Sequence, residues 1–167
     1  MTAAADETAK IPGPVTIPLD TLSGWIGKDL GASRWLEVDQ DLVDRYAELT
    51  GDHSWIHVDR ERAQQEIGGT IAHGLLILSL LPMMLKDIYR ISGVERSLNY
   101  GYDRLRYTGT VPVGSHVRLR MGLEAVKPQG DGRRVTFSMV VERQGADRPV
   151  VVGDWIVLIY PKAERAA

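Results

Sequence analysis

The stretch TGDHSWIHVD, Thr50 to Asp59, sets a carboxylate, two imidazoles and an indole close together, and His73-Gly74 follows sixteen residues after His57. Asp52 and His57 stand five residues apart. A carboxylate and an imidazole turned toward one point can hold a water between them, remove one proton and supply another, which is general acid-base chemistry near neutral pH. Spacing alone favours a plainer reading, in which Asp52 caps a turn and His57 packs against it, because Asp is a preferred turn residue. A third reading makes His53, His57 and His73, with a nearby acid, the ligands of a divalent metal. That reading needs His53 and His57 on one helical face, and Gly51 together with Ser54-Trp55 argues against a helix there, so no metal is expected. At His73-Gly74 the free amides of a helix start favour negative charge, and a glycine admits a ligand close to the chain. A polarised carbonyl could sit on the Gly74 amide; equally, Gly74 could serve tight packing and His73 could be a core histidine. Ser79, among leucines, is expected to bond back to its own helix.

The elements that must hold these groups follow from periodicity. Leu42, Val43, Tyr46 and Leu49 recur at spacings of three and four, predicting a helix over about 40–50 with Asp39 as N-cap and Gly51 as its stop. Asp59 is placed to cap a short helix from Arg60 to Glu66, leaving Asp52 to Val58 as an interhelical loop. Apolar side chains then fill nearly every position from Leu75 to Leu85, predicting a helix without a solvent face, kinked or broken at Pro82. From Leu98 onward the period becomes two. Val117, Leu119, Met121, Leu123 and Val135, Phe137, Met139, Val141 read as a hairpin turning at Asp131-Gly132, between a strand over Leu98 to Tyr107 and a last one over Val150 to Tyr160. A shorter strand is expected around Ser33 to Val38. Helices followed by a long antiparallel meander, with one apolar helix needing cover, predict an α+β fold: a curved antiparallel sheet wrapped around a long buried central helix.

Composition narrows the function classes. With 167 residues, 44% apolar and 25% charged, the chain suits one soluble domain, expected over 15–167 after a loose tail at 1–14. A net charge of -2 gives no footing for nucleic acid or an anionic membrane. The absence of cysteine rules out thiolate catalysis and disulfides and fits a reducing compartment, so a cytoplasmic location is expected. The N-terminus has acids where a secretory signal needs positive charge, and the apolar run at 75–85 is shorter than the roughly 20 residues of a bilayer span.

YAELTGDHSWIHVD followed by GGTIAHGLLILSLLP resembles the hydratase-dehydratase motif of the MaoC-like family, (R)-specific enoyl-CoA hydratases with a hot-dog fold. The resemblance covers about Trp35 to Tyr160, with Tyr100-Gly101 and VPVGSHVRL matching later strand and turn motifs. Trp55-Ile56 ahead of His57 is similar to the subgroup related to nodulation protein N. The resemblance implies that Asp52 and His57 are the catalytic pair of a hydro-lyase of fatty acid metabolism and that the Gly74 amide polarises a thioester carbonyl. His73, Trp55 and Ser79 would shape or line the substrate site. Where some members carry a serine two or three positions beyond the one matching Ser79, this chain has Leu81, Pro82 and Met83. The implied partners are an acyl-CoA thioester and a second copy of the chain, with no cofactor. Arg104, Arg106 and Arg118 could meet nucleotide phosphates, although strand arginines are more often solvated. The rivals are an acyl-CoA thioesterase on the same fold and a non-catalytic acyl-CoA or lipid-binding protein.

Overall fold

The computed structural model describes residues 13–162. Most of the expected tail at 1–14 lies outside them. The chain opens with β1 (Val15–Pro18), a 3-10 turn at Leu22–Trp25, β2 (Asp29–Ala32) and β3 (Leu36–Val38), then enters α1 (Gln40–Thr50). The Asp39 carboxylate accepts from the Leu42 amide at 2.8 Å, and Gly51 closes the helix in the left-handed conformation at φ 76°. Both predicted caps are therefore formed, because each depends only on residues within one turn of the helix end.

The decamer departs from the loop reading. Trp55–Val58 is a single helical turn, α2, in which the Asp59 amide donates to the Trp55 carbonyl at 3.0 Å. The turn starts after Ser54, so His53 and His57 do not share a helix face. Asp59 then caps α3 (Arg60–Ile67) by accepting from the Arg62 amide at 3.0 Å.

The apolar run forms two short helices in series, α4 (Gly74–Ser79) and α5 (Leu81–Leu85), rather than one long one. Pro82 has no amide to offer the preceding turn, so the ladder is interrupted where the proline predicts it. Leu76, Ile77, Leu81 and Met84 are buried, but Leu75 is 63% and Met83 47% exposed, with Ser79 exposed between them. The expectation of a helix without a solvent face is thus corrected: within one chain a single stripe stays uncovered.

After β4 (Tyr89–Ser92), which pairs in parallel with β1, come the long strands β5 (Val94–Tyr107), β6 (Ser115–Gln129), β7 (Gly132–Arg143) and β8 (Val151–Pro161). The sheet order is β2-β6-β7-β8-β5, with β3 also on β6. A simple meander is therefore corrected as well, since β5 leaves its neighbour in sequence and pairs with β8 at the far edge. The β6-β7 hairpin turns on Gly130-Asp131, one residue earlier than expected; Gly130 takes φ 54° and Gly132 already pairs with Gln129. Val117, Leu119, Met121 and Leu123 on β6 and Val135, Phe137, Met139 and Val141 on β7 are all buried, as period two demands. They pack on α4 and α5, and the curved sheet around this interrupted helix is the α+β hot-dog fold.

Candidate active site

α1, α2 and the start of α4 converge on the decamer, and Gln40 ties them together. Its amide nitrogen donates to Asp44 Oδ1 at 2.7 Å and to the His57 carbonyl at 2.8 Å, while its oxygen accepts from Thr70 Oγ1 at 2.5 Å. The Ile71 amide donates to the Ile56 carbonyl at 3.0 Å, and the Ala72 amide to the Val111 carbonyl at 2.8 Å, fixing 71–72 between α2 and the segment before β6. Gln40 lies in the first turn of α1, where nothing in the local sequence marks it as a brace.

His57 is 8% and His73 3% exposed, and their rings stack with centroids 3.7 Å apart. Nδ1 of His57 lies 2.6 Å from the Ile71 carbonyl, which can only accept, so Nδ1 carries the hydrogen and Nε2 keeps the lone pair. By the same logic Nε2 of His73, 2.9 Å from the Asp52 carbonyl, is the donor. His73 Nδ1 is then an acceptor, buried and without a hydrogen-bond partner. Tyr46 leans on His73 with centroids 5.1 Å apart. Asp52 itself is exposed; its Oδ1 accepts from the Ser54 amide at 3.3 Å, which holds the turn and leaves the rest of the carboxylate open.

Ligating atoms of Asp52, His57 and His73 lie within 4.8 Å of one another, so the fold gathers these three of the residues singled out from sequence. A carboxylate and two imidazoles would suit a divalent ion, but the stacked rings run side by side. An ion about 2.0–2.1 Å from one nitrogen would stand well out of the plane of the other ring, a poor fit for imidazole ligation. The arrangement suits a shared water and proton transfer better.

Gly74 opens α4 and, as its first residue, has no acceptor within the helix for its amide. A Cβ placed on it would stand 2.8 Å from Tyr107 Cε1, so only glycine fits beneath that ring. His57, Gly74, Ile77, Tyr107, Val111 and Val151 line a largely apolar cavity of about 320 Å³. Burial, and then the neighbouring Tyr46 and Tyr102, push the Tyr107 phenol above its ordinary value. Tyr107 was not singled out from the sequence; it lies 33 residues from Gly74, and no local pattern joins them.

Other sequence-derived candidates fall outside this cluster. Ser79 Oγ donates to the Leu75 carbonyl at 2.9 Å and is exposed, as its position among leucines suggests. Trp55 lies under the Arg62 guanidinium, 4.3 Å from the ring centroid, and His53 faces Glu48 at 3.9 Å on the surface. Arg104 and Arg118 pair with Asp154 and Glu142, each at 2.6 Å, and Arg106 donates to the Leu105 carbonyl at 2.7 Å. Neither Arg104 nor Arg118 is an unpaired cation awaiting a phosphate.

A hot-dog fold carrying an acid and two imidazoles at the start of its central helix defines a class that the comparisons make definite. The family model of the MaoC like domain matches residues 22–144, and the chain belongs to that family. It is 41% identical over 138 residues to 3-hydroxyacyl-thioester dehydratase Z of Mycobacterium tuberculosis, covering 81% of this chain and 91% of that protein. Nodulation protein N of Rhizobium leguminosarum bv. viciae is 43% identical over 138 residues, covering 80% and 86%. The unliganded (R)-hydratase PhaJ1 of Pseudomonas aeruginosa superposes with a TM-score of 0.67 at 21% identity, over 85% of this chain and 88% of that one, a likeness of fold.

Proposed function

We propose that this protein is an (R)-specific enoyl-thioester hydratase, a hydro-lyase that adds water reversibly to a trans-2-enoyl thioester to give the (3R)-3-hydroxyacyl thioester. The observation that carries this reading is the Asp52-His57-His73 cluster, whose ligating atoms lie within 4.8 Å of one another, with His57 keeping its Nε2 lone pair and lining an apolar cavity. The name of the 41% identical relative supports the reaction class.

The thioester carbonyl rests on the Gly74 amide, which stabilises the negative charge that develops on oxygen as water attacks the β-carbon. Asp52 and His57 hold that water. His57 Nε2 is prepared to accept its proton, the water oxygen bonds to the β-carbon, and the pair delivers a proton to the α-carbon on the same face. Dehydration retraces these steps. His73 anchors the Asp52 backbone through its own hydrogen bond and supports the His57 ring from beneath.

The active form is a homodimer. β5 pairs with β8 on one side only and carries the exposed Leu98 and Tyr100, and Leu75 and Met83 are exposed on α4 and α5. A second copy pairing at β5 would extend the sheet and remove the edge. Among the described residues no helix is long and apolar enough to cross a membrane. The cysteine-free chain supports a cytoplasmic location.

The test is incubation with crotonyl-CoA, following loss of the enoyl absorbance and resolving the product by chirality. Formation of (3R)-3-hydroxybutyryl-CoA is expected. Release of free thiol with the double bond intact would make the protein a thioesterase, and binding without turnover would make it a carrier. Sedimentation should show a dimer, and a monomer at micromolar concentration contradicts the proposed active form.

A further inference from the structure

β5 contains a bulge with no part in the chemistry described above. Asp103 pairs with Asp154 and Arg106 with Val152, so Arg104 and Leu105 together face Gly153 alone. Three features build this irregularity. Arg104 takes φ 54°, and among the described residues no other non-glycine residue has a positive φ. Its guanidinium closes on Asp154 through Nε at 2.9 Å and Nη2 at 2.6 Å, and the Asp154 side chain is only 13% exposed. Beneath the bulge a Cβ on Gly153 would stand 3.0 Å from the Leu105 Cα, so the opposing strand leaves room for the extra residue.

The consequence lies two residues further on. In an antiparallel pair one extra residue exchanges the faces of everything after it. With the bulge, Tyr107 pairs with Val151, a wall of the cavity that holds His57 and Gly74. With an even register Arg106 would take that place, bringing a cation instead of an aromatic ring to the cavity. The ring so delivered lies on Gly74, close enough that no side chain could stand between them.

We infer that Tyr107 is a substrate-positioning residue, the cavity wall beside Gly74 along which the thioester lies, and that the Arg104-Asp154 clamp acts through it by holding the bulge. This inference rests on the reading above for the thioester at Gly74 and not for its hydration. Because the atoms nearest a Cβ placed on Gly74 are ring carbons, the ring and not the hydroxyl carries the effect.

A double-mutant cycle tests this, using full-length protein and calorimetric binding of butyryl-CoA, which has no double bond to hydrate. Tyr107→Ala should weaken binding about 10-fold, Tyr107→Phe should restore what the alanine loses, and Arg104→Ala should weaken it about 3-fold in the otherwise native protein. In the Tyr107→Ala background Arg104→Ala should change binding less than about 1.5-fold, since coupled residues do not add. With crotonyl-CoA the same variants should raise KM more than they lower kcat. Equal costs of Arg104→Ala in both backgrounds, or unchanged binding in Tyr107→Ala, would overturn the inference. Absent hydration by native protein together with Tyr107-dependent butyryl-CoA binding would overturn the hydratase reading and leave this one standing.

Discussion

The two ends of the interrupted helix carry cavities that differ in size and lining. At the α4 end the space is about 320 Å³, bordered by His57 and Gly74 beside the Asp52 carboxylate. At the α5 end it is larger, about 530 Å³, and its wall sets Arg90, Ser97 and Asn99 beside Leu85, Phe137 and Trp155. Asn99 there serves the sheet, its Oδ1 accepting from Trp155 Nε1 at 2.9 Å. At the smaller one His57 keeps its Nε2 lone pair, and the buried Nδ1 of His73, whose ring stacks on it, has no hydrogen-bond partner. Volume therefore does not locate the chemistry; the gathered carboxylate and imidazoles do.

This contrast can be broken by substitution. Phe137, 1% exposed and stacked on Tyr89 at 5.2 Å, belongs to the larger cavity. Phe137→Ala should cost about 3–5 kcal/mol in chemical denaturation, while the folded fraction keeps its turnover. A collapse of kcat without loss of stability would tie that end to the reaction. Gly74→Ala inserts a methyl group against the Tyr107 ring and should cost about 1–3 kcal/mol, with hydration falling as the ring is pushed from its place. Full activity in that variant would show that the close approach is not required. Ser79→Ala removes a hydroxyl that serves its own helix, so stability should move within about 0.5 kcal/mol and the rate stay near native. A large rate loss there would place the outer helix face in the site.

What could be read from the chain separates along the same physical line. Asp39 and Gly51 cap α1 through bonds spanning three or four residues, and Pro82 breaks a helix by lacking its own amide; such signals are local. The alternation in β6 and β7 records burial on one face and needs no partner to be visible. The pairing of β5 with β8 joins residues such as Asp103 and Asp154, 51 positions apart, and leaves no periodic trace. The candidate site divides likewise. Asp52, His57 and His73-Gly74 stood out by residue type and by the resemblance of their motifs, whereas Gln40 and Tyr107 reach the site only through tertiary contacts. The helical turn at Trp55–Val58 was missed because Gly51 and Ser54 resemble loop residues, although Ser54 immediately precedes the turn.

The most direct test of the central claim compares crotonyl-CoA hydration by native protein, Asp52→Asn and His57→Ala under identical conditions, with thermal unfolding as a control for folding. The account requires each variant to lose about 10²–10⁴-fold in kcat while remaining folded. Native rates in both variants would contradict the assignment of Asp52 and His57 as the groups that move the protons.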